Sequence, residues 1–237
     1  MQEMLRGFAL LLAYFVPCAA AALIGHYFIK IPKEVFRKIL HCILLFSLIV
    51  FVFGFDTWWR SALAAVIFEL AVYPALWFFE RFKGYSELTT ERKKGELKNS
   101  LLLVFTMFAV VISVCWGWLG DRYLVLASVY AWGFGDAAAA LVGKRFGRHK
   151  LHFKYLDGKK SLEGTLAMFV LSFLSVAVIL QLRGGMPVLG GFVTALITAE
   201  VAALVELYSR GGNDTFTCPL ASMTVMLPLL HLFGGGI

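Results

Sequence analysis

Charge is scarce in this chain. Only 16% of its 237 residues are Asp, Glu, Lys or Arg, while 60% are hydrophobic. Soluble domains carry about 25% charged residues, so an ordinary soluble fold is excluded. Cysteine is also scarce: Cys18, Cys42, Cys115 and Cys218 stand singly, three of them inside apolar stretches. Without a CxxC pair or any other ligand-type spacing, neither a disulfide framework nor a zinc site is supported. No repeat recurs at the 20–50-residue periods of solenoid proteins. A nucleotide-binding P-loop is missing too. The nearest stretch, Gly143-Lys144-Arg145-Phe146-Gly147, lacks the GxxxxGK[ST] order and follows an apolar helix instead of a strand.

Long apolar runs are what the chain does have. Stretches near 8–29, 39–54, 61–79, 100–118, 123–142, 164–182, 188–208 and 219–233 have the length and composition of membrane-spanning helices. The expected fold is all-α and polytopic, with about eight spans (seven to nine). Almost nothing remains for a soluble domain, so residues 1–237 are expected to form a single integral membrane domain. The first run has Arg6 ahead of it and small residues at 19–22, like a secretion signal. It is long for a signal's apolar core, and it is expected to stay as a span.

The basic residues set an expected orientation. Alternate connections hold 18 of the 22 Lys and Arg residues, the others four. The positive-inside rule puts the rich side in the cytoplasm and both termini outside. Net charge +7 then follows from topology, and nucleic-acid binding is a poor reading of it. Trp58, Trp59, Trp116, Trp118 and Tyr123 fall at the predicted outer helix ends, as an interfacial aromatic belt would.

Helix-start signals fall among the polar clusters. Ser161 is a plausible N-cap with Glu163 in the first turn. Pro219 suits the first position of the last helix, and Pro32 the start of a short interfacial helix. The free N–H groups at the Ser161 and Pro219 helix starts would be ready phosphate contacts.

Asp136 is the most informative acid. At a rise of 1.5 Å per residue, it lies roughly 10 Å below the boundary marked by Gly143. An ionisable group at that depth is costly unless paired or lining a polar cavity. Glu163, Glu206 and Asp214 complete four carboxylates near one face. Magnesium is held by oxygen ligands, usually one or two carboxylates plus substrate phosphates. Asp136 and Asp214 are therefore the preferred metal pair, with Glu206 in reserve. Glu69 and Glu200 lie deeper and could orient a substrate hydroxyl or bond a neighbouring helix.

Lys144, Arg145, Lys159, Lys160 and Ser161, with Gly135, Gly143 and Gly147, are the nucleotide- and phosphate-binding candidates. A basic cytoplasmic loop is also expected from topology and anionic lipid alone. Lys160 rises above that background because it adjoins a helix start. His149 and His152 have three-residue spacing without an apparent third ligand.

The separated motifs Arg37-Lys38-x-x-His41, Arg92-Lys93-Lys94-Gly95-Glu96, Gly135-Asp136-Ala137-x-Ala139 with Gly143 and Gly147, Lys160-Ser161-x-Glu163-Gly164, and Asn213-Asp214 leading to Pro219 together resemble the dolichol kinase/phytol kinase family. That family includes CTP-dependent diacylglycerol kinases. The motifs span residues 37 to 219. The last reads Asn213-Asp214 where the family leads one to expect Asp-Asn order, which leaves open which residue meets the metal. The resemblance implies transfer of a phosphate from a nucleoside triphosphate, CTP in most members, to the hydroxyl of a membrane lipid alcohol such as phytol, geranylgeraniol, dolichol or another polyprenol. In that reading Asp136, Glu163 and Lys160 are catalytic, and Glu163 or Asp136 receives the hydroxyl proton. Mg2+ is the expected cofactor and the cytoplasmic boundary the expected site. A diacylglycerol kinase, a CDP-lipid-forming cytidylyltransferase and a transporter or lipid flippase are the alternatives.

Overall fold

The computed structural model describes residues 2–29, 31–82, 85, 95–152, 160–209 and 212–236. Eight helices in it are long and apolar enough to cross a membrane. They are α1 (Gln2–Phe28), α2 (Lys33–Phe53), α3 (Trp58–Phe79), α4 (Glu96–Val111, continued by a π-helical segment Ile112–Trp118), α5 (Arg122–Phe146), α6 (Leu162–Arg183), α7 (Val188–Tyr208) and α8 (Asp214–Leu232). The all-α, polytopic expectation holds. Among the described residues there is no strand, only an isolated antiparallel bridge between Lys150 and Ser161.

Two helix starts differ from expectation. Pro32 is the N-cap of the long α2 and does not open a separate short helix. The last helix begins at Asp214, so Pro219 lies inside it. The start is fixed by Asn213, whose carbonyl accepts from the Phe216 and Thr217 amides. Pro219, lacking an N–H, forfeits one bond to the turn before it.

The chain divides into two compact units, Met1–Ser113 and Val114–Ile237. The first is built from α1 to α4. Its interior is aromatic: Phe51 meets Phe105 and Phe108 edge-on, and Phe15 stacks on Phe68. At the helix ends, Glu3 pairs with Arg60 and accepts from the Asp56 and Thr57 amides. At the starts of α2 and α4, Arg37 Nη2 lies 2.7 Å from Glu96 Oε1.

The second unit is built around α5, the most deeply buried of the eight spans. It packs against α6, α7 and α8. Asp121 caps it by accepting from the Tyr123 and Leu124 amides, and the same carboxylate pairs with Arg183 at the end of α6. Small residues let the α5 and α6 backbones approach. A Cβ on Gly135 would come 2.5 Å from Ser172 Oγ, and one on Gly164 3.0 Å from the Ala139 carbonyl. Ser172 Oγ in turn donates to the Ala131 carbonyl across the helix pair. Such small-residue contacts and interhelical hydroxyl bonds are how helices associate without a hydrophobic driving force. Of the aromatic belt, Trp118 is exposed, whereas Trp116 is buried beneath the Arg122 guanidinium.

Candidate active site

The polar residues of the second unit meet where α5 and α7 end and α6 and α8 begin. Lys160, just before α6, reaches the end of α7. Its Nζ lies 3.0 Å from Glu206 Oε1 and 3.2 Å from the Ser209 carbonyl, and it also donates to the Glu206 carbonyl. The ammonium thus caps a helix C-terminus, where unpaired carbonyls and the helix dipole favour a cation. Asp136, half-buried on α5, and Asp214, on the first turn of α8, both act electrostatically on Glu206 alongside Lys160. The same four groups reach the buried Cys218 thiol. Residues widely separated in the chain therefore share one polar cluster within a unit of membrane-spanning helices.

Asp214 Oδ2 accepts from the indole Nε1 of Trp132 at 3.0 Å. Asn213 is exposed, whereas Asp214 is partly buried. Of the two, it is Asp214 that turns toward α5. Trp132 is the member that sequence reasoning missed, because a tryptophan in an apolar helix reads as packing. Its only sequence signal is a position one turn before Asp136, on the same helix face.

Ser161 is the N-cap of α6, as expected, with its Oγ accepting from the Gly164 amide at 3.2 Å. Glu163 faces the loop that leaves α5. It accepts from the amides of Arg148 and His149, both at 3.1 Å, and its Oε1 lies 2.7 Å from His149 Nδ1. The pairing of Leu151 N with Lys160 O and of Leu162 N with His149 O completes this clamp. Gly143 and Gly147 sit against Ser161: a Cβ would approach its Oγ to 3.2 Å and 2.6 Å respectively. Gly135, Gly143 and Gly147 are thus occupied with close packing. Lys144 and Arg145 are exposed at the last turn of α5. Lys159, Arg92 and Lys93 lie outside the described residues. Arg37, Lys38, His41 and Glu96 belong to the first unit, where the Arg37–Glu96 ion pair joins two of the sequence motifs.

The donor chemistry fits a hard cation, being carboxylate oxygen throughout. Among the described residues, no three His, Cys, Asp or Glu side chains form a ready-made metal cage, and Glu206 is already engaged by Lys160. A site of this kind suits magnesium, which is usually held by one or two carboxylates and completed by substrate phosphates.

Eight apolar spans define a polytopic α-helical membrane protein, and its second unit carries a carboxylate–ammonium cluster among the ends of α5 to α8. Comparison with known proteins makes the class particular. The chain is 42% identical over 97 residues to a phytol kinase of Synechocystis sp., covering 41% of this chain and 40% of the relative. It is 30% identical over 146 residues to a probable chloroplastic phytol kinase of Triticum aestivum, covering 58% of this chain and 46% of that protein. These matches bear out the resemblance to the dolichol kinase/phytol kinase family. The matched region spans less than half the length of either relative. No family model and no solved structure matches.

Proposed function

We propose that this protein is a membrane lipid kinase that passes the γ-phosphate of a nucleoside triphosphate, CTP by family resemblance, to the hydroxyl of a prenol-type alcohol such as phytol. The observation that carries the reading is the cluster of Lys160, Glu206, Asp136 and Asp214 in a membrane-spanning unit. The similarity to proteins named phytol kinase supports it. The apolar alcohol stays in the bilayer with its hydroxyl at the cytoplasmic boundary, and the soluble nucleotide docks from the water side. The alcohol oxygen forms a bond to the γ-phosphorus, the bond to the β–γ bridging oxygen breaks, and the nucleoside diphosphate leaves with that electron pair.

Phosphoryl transfer depends on positioning and charge neutralisation more than on covalent chemistry. Asp214 and Asp136 are assigned to hold magnesium, and Lys144 and Arg145 to meet phosphate oxygens. Lys160 is held by Glu206 and Ser209 and would reach a phosphate only by giving up one of those bonds. Magnesium, when bound, neutralises charge on the phosphates. Asp136 is the preferred acceptor of the hydroxyl proton. Glu163 already accepts three hydrogen bonds from the loop, which favours a role in holding that loop.

Purified protein in detergent, given labelled CTP or ATP and a panel of lipid alcohols, tests the reading directly. A lipid monophosphate with release of nucleoside diphosphate is the expected product. A CDP-lipid with pyrophosphate would make the protein a cytidylyltransferase, and no lipid product from any pairing would overturn the enzyme reading.

A further inference from the structure

We infer that Trp132 is a positioning residue that fixes Asp214 as the cation-facing carboxylate of the site. The inference rests on the proposed kinase reading for its cation. Its structural part stands on three observations.

First, the bond is buried at its source. Trp132 is 2% exposed, and its Nε1 donates to Asp214 Oδ2 at 3.0 Å across 82 positions of chain. A buried indole N–H must find an acceptor. Here the acceptor is an acid at the start of a different helix.

Second, the two partners used in this cluster differ in charge. Glu206 is held by an ammonium, Lys160, so its negative charge is already compensated. Asp214 is held by a neutral donor, which takes one of its oxygens and brings no compensating charge. An indole has a single N–H, so one carboxylate oxygen remains for another ligand. The first turn of α8 adds the end of the helix dipole that favours an anionic group there. A carboxylate fixed in direction, with one oxygen left over, is what a hard cation requires. Glu206 is oriented but spent.

Third, Trp132 and Asp136 lie one turn apart on α5, on the same helix face. Through the indole, the start of α8 is registered against the same rigid helix that carries Asp136. The separation of Asp136 and Asp214 is thereby set by α5, the most buried span, and not by the connection between α7 and α8.

The test is Trp132→Phe in the full-length protein, which keeps an aromatic ring and removes the N–H. Loss of an outer-shell partner typically weakens metal affinity or activity by about 10–100-fold. We expect Mn2+ binding, followed by electron paramagnetic resonance without lipid substrate, to weaken by about that factor while the melting temperature changes little. With substrates present, half-saturating Mg2+ should rise while kcat at saturating Mg2+ is largely kept. A role in packing alone would lower kcat or stability and leave Mn2+ affinity in place, and that outcome overturns the inference. Should the variant fail to fold, 5-fluorotryptophan labelling of the otherwise unchanged protein decides instead. Of its six tryptophan resonances, one should broaden strongly on Mn2+ addition and be spared in Asp214→Asn. Broadening of none, or broadening that persists in Asp214→Asn, overturns the inference. Failure to make any lipid phosphate would sink the kinase reading while leaving the Mn2+ measurement intact, so the two failures are distinguishable.

Discussion

Lys160 Nζ stands 3.0 Å from Glu206 Oε1 and at the same time meets the main-chain carbonyls of Glu206 and Ser209. One side chain thus joins the start of α6 to the end of α7 and compensates a carboxylate that is mostly buried. The charges belong together. Either one alone would be an uncompensated ion beside apolar helices.

Removing one partner of such a pair costs about 3–5 kcal/mol when both are buried. The side chains here keep 19% and 13% exposure, so Lys160→Met should cost somewhat less, about 2–3 kcal/mol on that scale. Lys160→Met with Glu206→Gln should be more stable than Lys160→Met alone. Thermal unfolding in detergent measures both, and additive single effects would show that the pair is not coupled.

Asp136→Asn and Asp214→Asn should each reduce lipid phosphorylation by at least about 100-fold, the scale of losing a group that stabilises transition-state charge. Both side chains keep their size, so melting temperature should change little. Normal turnover by either variant would remove that residue from the site.

Gly135→Ala should destabilise the second unit by about 1–3 kcal/mol. The added methyl would lie 2.5 Å from Ser172 Oγ, a group fixed by its bond to the Ala131 carbonyl, and 3.0 Å from Met168 Cγ. Gly25→Ala is the matched control. A Cβ there meets nothing within 4 Å, and the exchange should gain up to about 1 kcal/mol of helix propensity. Equal melting shifts for the two variants would contradict the close approach of α5 and α6.

Glu163→Ala should free the chain that follows Gly147. Limited trypsin digestion should then cut faster after Arg148 and Lys150, because both loop amides and the His149 ring lose their acceptor. Glu163→Gln, which keeps one acceptor oxygen, should be intermediate. If the cleavage rate is unchanged in Glu163→Ala, the clamp contributes nothing to holding the loop.

In the first unit, Arg37→Glu should remove the ion-pair link between α2 and the start of α4 and lower stability, and Glu96→Arg in the same chain should restore part of the loss. Each side chain is about a quarter exposed, so the recoverable coupling should be no more than about 1 kcal/mol. Differential scanning of the single and double variants reads it directly.

Much of this protein is legible in its sequence because its strongest signals are local. A run of about 20 apolar residues is recognisable whatever it packs against, since a bilayer demands internal hydrogen bonding of every segment that crosses it. All eight helices follow from that demand. Ser161 as an N-cap is equally local, being decided by a side chain and an amide three positions apart. Pro219 shows the limit of such rules. A proline suits a helix start, yet the Asn213 carbonyl had already started the helix at Asp214.

Partner choice lay beyond the sequence. Lys160 meets Glu206 across 46 positions, Trp132 meets Asp214 across 82, and Arg37 meets Glu96 across 59. No periodicity encodes those distances, because they depend on which helices touch and at what height. The sequence by itself determined the apolar spans, the scarcity of charge and the kinds of residue able to handle phosphate and metal. Only the tertiary structure decided that Glu206 would be paired with the Lys160 ammonium while Asp214 met a neutral indole, since that choice follows from the packing of α5 to α8 around one another.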